Sequence, residues 1–211
     1  MRKWSILVSA CLLSACAHDE PLLPGSPYAI EVVAFEAGDN AGYGQDRMPD
    51  VVLGLPLGRG LSMGSTDVLS LGVGGSIVLE VGTPMVDGEG DDLVVFENAF
   101  FIGGVMSAPF VEPGIVGVSN DGVNFTEWPC DPLTAPYTGC AGIAPVTANG
   151  EFDFDHPEMG GGDRFDLSDI GVTTARFVRI RDANVVTGMR AEAPTAGFDL
   201  DAVAVLNRSE N

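Results

Sequence analysis

The chain has 211 residues, with 30 Asp and Glu against 10 Lys and Arg and a formal net charge of −20. That balance leaves no clustered basic residues for phosphate contacts, which excludes nucleic acid as a partner. Two histidines, His18 and His156, cannot build a multi-histidine zinc site, and 28 glycines with 14 prolines disfavour long helices.

In chain order, Arg2 and Lys3 precede the short apolar run Trp4 to Leu13, which ends in Leu13-Ser14-Ala15-Cys16. The run is shorter than the roughly 20 residues a bilayer-spanning helix needs, and it fits a secretory leader over residues 1–15. An ordinary leader cut beside Ala15 or Ala17 is the alternative to a lipidated one. Loss of Arg2 and Lys3 with the leader takes the formal charge from −20 to −22. Such a surface is repelled by anionic lipid, so membrane attachment has to come from acyl chains. Residues 16–27 read as a Pro-rich tether, residues 28–207 as a single β domain and residues 208–211 as a tail.

Within the domain, short β-type runs alternate with Gly, Asp and Pro turns. Tyr28 to Phe35 is the first expected strand. Gly75 to Val81 is the next, with Ile77, Leu79 and Val81 on one face. The continuous run Leu93-Val94-Val95-Phe96 predicts a strand buried on both sides. Val116 to Ser119 and Val123 to Trp128 flank Asn120-Asp121-Gly122, a hairpin signal with glycine where positive φ is needed. Ala175 to Arg181 sets Arg176, Val178 and Ile180 against Phe177, Arg179 and Arg181. Phe198 to Leu206 sets Leu200, Ala202 and Ala204 against Asp201, Val203 and Val205. Seven short strands without a helical period predict an all-β fold, an antiparallel β-sandwich or jelly roll. With Cys11 inside the leader and Cys16 at its edge, Cys130 and Cys140 remain as a pair within the domain. In an oxidising compartment that pair reads as a disulfide. Closing so short a loop stabilises by about 2.8 kcal/mol on the chain-entropy model. A two-cysteine metal site, the alternative, has no third thiol to complete it.

The segment Leu13 to Cys16 resembles a bacterial lipoprotein box, which implies acylation of Cys16 and anchoring through lipid. Ala17 stands where an Asp would imply inner-membrane retention, so the resemblance implies the outer membrane or cell surface. Further motifs carry a second resemblance. Val52-Leu53-Gly54-Leu55-Pro56, Ser70-Leu71-Gly72-Val73-Gly74-Gly75-Ser76-Ile77, Val95-Phe96-Glu97-Asn98, Gly161-Gly162-Asp163-Arg164-Phe165-Asp166-Leu167 and Gly197-Phe198-Asp199-Leu200-Asp201-Ala202-Val203 are similar to motifs of a group of bacterial secreted proteins labelled cell surface proteins. The last pair of strands also looks like those of galactose-binding-like, discoidin-type β-sandwiches, a likeness of fold alone. Modules of that type which bind carbohydrate hold a structural Ca²⁺ between an acid near the first strand and an Asp on the last. By that resemblance the metal candidates are Glu36 and Asp39 with Asp199 and Asp201.

The residues themselves support several chemistries. Asp87-Gly88-Glu89-Gly90-Asp91-Asp92 places four carboxylates in one turn, and Asp153 with Asp155 forms another close pair. Such clusters repel unless solvated or bridged by a hard cation. A water-bathed hairpin tip is the preferred reading of the first cluster. Glu97 and Asn98 end a buried strand, where they point to a ligand-binding pocket among the loops; the competing reading pairs Glu97 with an arginine and makes Asn98 a turn cap. His156 has no nucleophile elbow near it, so a Ser–His–Asp hydrolase is disfavoured. The expected function is a lipid-anchored, non-catalytic binding, adhesion or envelope module with a glycan or an envelope protein as partner, in its sharper form a Ca²⁺-dependent glycan binder. The alternative is a polysaccharide hydrolase with paired carboxylates, whose spacing no sequence reveals.

Overall fold

A computed structural model describes residues 25–148, 155–185 and 192–209. The leader, Cys16, His18 and Asp153 therefore lie outside the described residues. Among the described residues eleven strands follow in chain order: β1 (Ala29–Glu36), β2 (Leu69–Ser70), β3 (Ser76–Val86), β4 (Leu93–Glu97), β5 (Phe100–Phe101), β6 (Pro109–Phe110), β7 (Gly114–Ser119), β8 (Thr126–Glu127), β9 (Asp163–Phe165), β10 (Thr174–Asp182) and β11 (Asp199–Val205). One sheet has the order β1-β3-β10-β7-β8 and the other β2-β11-β4-β9, while β5 and β6 form a separate small ribbon. Every pairing is antiparallel. The fold is an all-β sandwich, and its helical turns among the described residues are short 3₁₀ segments.

The layers exist because each strand presents an apolar row to the other sheet. Ile77, Leu79 and Val81 of β3, Val116 and Val118 of β7, and Val178 and Ile180 of β10 meet Leu93 and Val95 of β4 and Leu200, Val203 and Val205 of β11. The second face of the four-stranded sheet is covered too: Val94, Phe96, Ala202 and Ala204 pack under Tyr28, Val146 and Ala148. The uninterrupted run in β4 follows from that double coverage, here by loops and the chain start rather than by helices.

Two strands depart from simple alternation. In β11 the register slips between Leu200 and Ala202, so Leu200 shares the inter-sheet face with Val203 and Val205 rather than with Ala202 and Ala204. In β10 a slip between Ala175 and Phe177 turns the exposed Arg176 away from Val178 and Ile180. A bulge adds one residue and exchanges the faces beyond it. The hairpin forms with Val118 opposite Thr126 and Gly122 at φ 71°, but its second strand is only Thr126–Glu127, shorter than the expected Val123 to Trp128.

The domain is wider than residues 28–207. Gly25 N–H donates to Gly82 O, Pro27 O accepts from Val205 N–H, and Ser26 Oγ accepts from Tyr28 N–H, which docks the end of the expected tether. At the other end Arg208 bridges Met85, and Ser209 N–H donates to Pro84 O. Cys130 and Cys140 are disulfide-bonded, with 4.7 Å between Cα atoms, and the bond closes a loop that contains no strand.

Candidate functional site: an acidic cavity at one sheet end

At one end of the four-stranded sheet, β4 finishes at Glu97 beside the start of β11, where Leu200 lies opposite Glu97 and Asp199 opposite Ser70. The turn after Glu97 leads into the β5–β6 ribbon, whose Phe100 and Phe110 rings stack with centroids 5.0 Å apart. These pieces line a cavity of about 440 Å³, with the aromatic Tyr43, Phe100 and Phe110 and the polar Asn98, Glu112 and Asp199 among its residues. The size lies within the range of small-molecule sites.

The polar wall is unusual in its charge. Glu97 and Glu112 are 1% and 4% exposed, and Asp199 is buried with them. Asp199 accepts from the Ser70 hydroxyl and, at 3.4 Å, from Asn98 Nδ2. Glu97 Oε1 accepts from Asp199 N–H at 3.4 Å, while Glu97 Oε2 is buried with no hydrogen-bond partner. Among the described residues no arginine or histidine forms an ion pair with Glu97. Burial, reinforced by the neighbouring Glu112 and Asp199 carboxylates, pushes the Glu97 carboxyl well above the usual range. Burial likewise pushes Asp199 up to about 6, against the lowering effect of Ser70 and Asn98.

Other buried acids have a different use. Asp182 accepts from the N–H groups of Gly74, Asn184 and Phe198 at 2.8, 2.8 and 3.0 Å. Asp163 takes three consecutive N–H donors, from Gly142, Ile143 and Ala144, and burial still pushes it up to about 6. Asp201 receives Leu57 N–H on both oxygens, and burial raises its carboxyl well above the usual range. These carboxylates pin loops to strands by satisfying backbone donors that would otherwise be buried unpaired.

The structure sorts the candidates from sequence. Asn98 lines the cavity with Asp199, while Glu97 is not among the lining residues and contacts Asp199 N–H from within the strand. Glu36 and Asp39 are exposed, Glu36 opposite Ser76 and Asp39 bridged to Val73. The quartet Glu36, Asp39, Asp199 and Asp201 is not brought together into a converging group of three or more acids. After Tyr28 bridges Ala204, β1 leaves β11 and joins the other sheet, which carries its final acids elsewhere. His156 sits in a loop with Nδ1 2.9 Å from Glu158 Oε1.

Asp87 and Asp92 do approach one another, with Asp166 as a third member, their oxygens within 4.8 Å. Asp92 is already occupied, however: Gly88 N–H, Asn207 Nδ2 and Leu167 N–H all donate to it. Asp166 similarly accepts from Ser168 N–H. Asp92 and Asp166 are thus hydrogen-bonded within the protein, while the three carboxylates converge closely enough to hold a metal ion.

Glu112 and Ser70 were not singled out from the sequence. A signal for Glu112 was present in Phe110-Val111-Glu112-Pro113-Gly114-Ile115-Val116, where one acid interrupts an apolar segment. Such a residue is either buried or the chain bends to expose it, and here it is buried.

The fold and cavity together define an antiparallel β-sandwich with an acidic, aromatic-walled pocket at one sheet end. In comparisons with known proteins, no family model matches the chain and no curated protein matches it significantly. Among the described residues, no helix is long and apolar enough to cross a membrane.

Proposed function

We propose that this protein is a lipid-anchored module of the bacterial cell surface that binds a polyhydroxylated ligand, a glycan, without transforming it. The observation that carries the reading is the cavity, whose lining combines the aromatic residues Tyr43, Phe100 and Phe110 with the polar Asn98, Glu112 and Asp199. Sugar rings present an apolar face and a rim of hydroxyl donors, which suits a lining that holds both aromatic rings and carboxylate and amide acceptors. The resemblances of Cys16 to a lipobox and of the mature chain to bacterial cell surface proteins support the address. Calcium belongs to this reading as the ion that would keep the acidic wall charged and usable.

Glycan-array binding by the full chain tests it. Retention of at least one glycan class is expected, with loss in Phe100→Ala and Tyr43→Ala variants whose melting is unchanged. An array without hits would remove the recognition role. Cys16→Ser should move the protein from the membrane fraction to the soluble fraction, and continued membrane fractionation would remove the anchor.

One feature favours the hydrolase as a second reading. Glu97 is a carboxyl held toward its protonated form beside Glu112 and Asp199, the environment in which a general acid is made. Polysaccharide turnover by the parent that disappears in Glu112→Gln would replace the binding role with that one.

A further inference from the structure

Building on the glycan reading above, and resting on it, we infer that the cavity selects a sugar with a free amino group over N-acylated and anionic sugars. The donors and acceptors of the lining point that way. Asp199 and Glu112 bring buried carboxyls, at 6% and 4% exposure, and Glu192 brings an exposed one. Three of the lining's side-chain donors are already committed within the protein. Tyr43 Oη donates to Thr66 O, Ser65 Oγ to Leu57 O and Asn98 Nδ2 to Asp199. Asn98 Oδ1 is a buried acceptor with no hydrogen-bond partner. A ligand suited to such a lining supplies donors, and an ammonium group supplies three.

Charge points the same way. Among the described residues, the lining holds Glu112, Glu192 and Asp199 and no Lys, Arg or His. Arg47 comes near without joining it: its guanidinium lies 5.6 Å from the Tyr43 ring centroid and pairs with Asp67. Burial first, and then the Glu112 and Asp199 carboxyls, raise the proton affinity of Glu97, the residue before Asn98. A potential that favours a proton there also favours an ammonium group, and it disfavours a carboxylate, sulfate or phosphate. Charges in a partly buried site are screened less than those on the open surface, which makes the preference local. Tyr43, Phe100 and Phe110 add aromatic rings, whose faces attract cations. N-acylation replaces the ammonium by one amide N–H and a carbonyl acceptor, and so offers the acids no counter-charge.

Calorimetry of the full chain with a de-N-acetylated chitin disaccharide, and with its fully N-acetylated counterpart, tests the inference. A chelator is present, because a divalent cation would compete for the same charge. Salt is held at about 0.15 M, which screens exposed charges beyond about 8 Å. The amino form should bind at least about tenfold more tightly. Asp199→Asn and Glu192→Gln should each reduce that preference by about threefold or more, while Glu31→Gln, on the exposed face of β1, leaves it within about twofold. Glu192 is exposed, so its variant reads charge without disturbing the core. Equal or tighter binding of the N-acetylated form would overturn the inference and leave the glycan reading standing. So would a preference that neither Asp199→Asn nor Glu192→Gln changes, which would assign it to the overall charge of the chain. Failure to bind either disaccharide would overturn it as well, and an empty glycan array would then remove the glycan reading too.

Discussion

Replacing Asp182 with alanine isolates what the loop-pinning carboxylates contribute. Asp182 ends β10, and its oxygens accept Gly74 and Phe198 N–H from two other segments and Asn184 N–H from its own following turn. The alanine variant leaves all three donors without their acceptor. Gly74 and Asn184 are exposed and can turn to water, so each loses only a net hydrogen bond, about 0.5–1.5 kcal/mol. Phe198 is 0% exposed, and its orphaned N–H costs about 1–3 kcal/mol. The sum centres on about 4 kcal/mol, which for a domain of this size lowers the melting temperature by roughly 8–16 °C. Because Phe198 directly precedes Asp199, the start of β11 should loosen as well. Thermal and urea melts followed by circular dichroism are the assay, with Glu31→Ala on the exposed face of β1 as a control expected within about 0.5 kcal/mol. A shift for Asp182→Ala no larger than that of the control would refute the argument that these acids hold the loops.

Three further outcomes follow from the same structure. Gly114→Ala should destabilise by about 1–3 kcal/mol through overpacking, since the added Cβ would lie 2.4 Å from Phe198 Cδ2; a neutral result in denaturant melts would show that the ring can move. The Cys130→Ser, Cys140→Ser double variant should lose about 2–3 kcal/mol and become insensitive to reductant, whereas an unchanged melt would show that the loop bond does not constrain the unfolded chain. Glu127 is hydrogen-bonded by Arg181 and also by Arg179, which hold its carboxyl below the usual range. A depressed folded value means this contribution is present above the unfolded value of about 4.3 and is lost as pH falls below it. Glu127→Gln should therefore lower stability near neutrality by about 1 kcal/mol, and the difference from the parent should shrink in acid; a gap that persists at low pH would assign the loss to packing.

The fold class was legible because period-two alternation and turn residues are local properties. Ile77, Leu79 and Val81 share a face as read, and the Asn120-Asp121-Gly122 turn makes its hairpin. The double burial of β4 was also legible, since a run of four apolar residues has no polar side to offer water. The bulges in β10 and β11 were not legible, because an extra residue changes which neighbours a side chain meets without changing the local pattern.

The same limit governs the site. Composition and local order by themselves determined an acidic, turn-rich β chain with one disulfide pair and a Glu97–Asn98 step at the end of a buried strand. Only the tertiary structure decided that Glu112 and Asp199 stand beside Glu97, and that Glu36 and Asp39 belong to exposed chain elsewhere. In a chain with 30 acids, residue type carries little information about role. What distinguishes a loop anchor such as Asp182 from a cavity-lining acid such as Asp199 is what surrounds it after burial. Segments far apart in sequence supply those surroundings, so the distinction exists only once the two sheets have closed on each other.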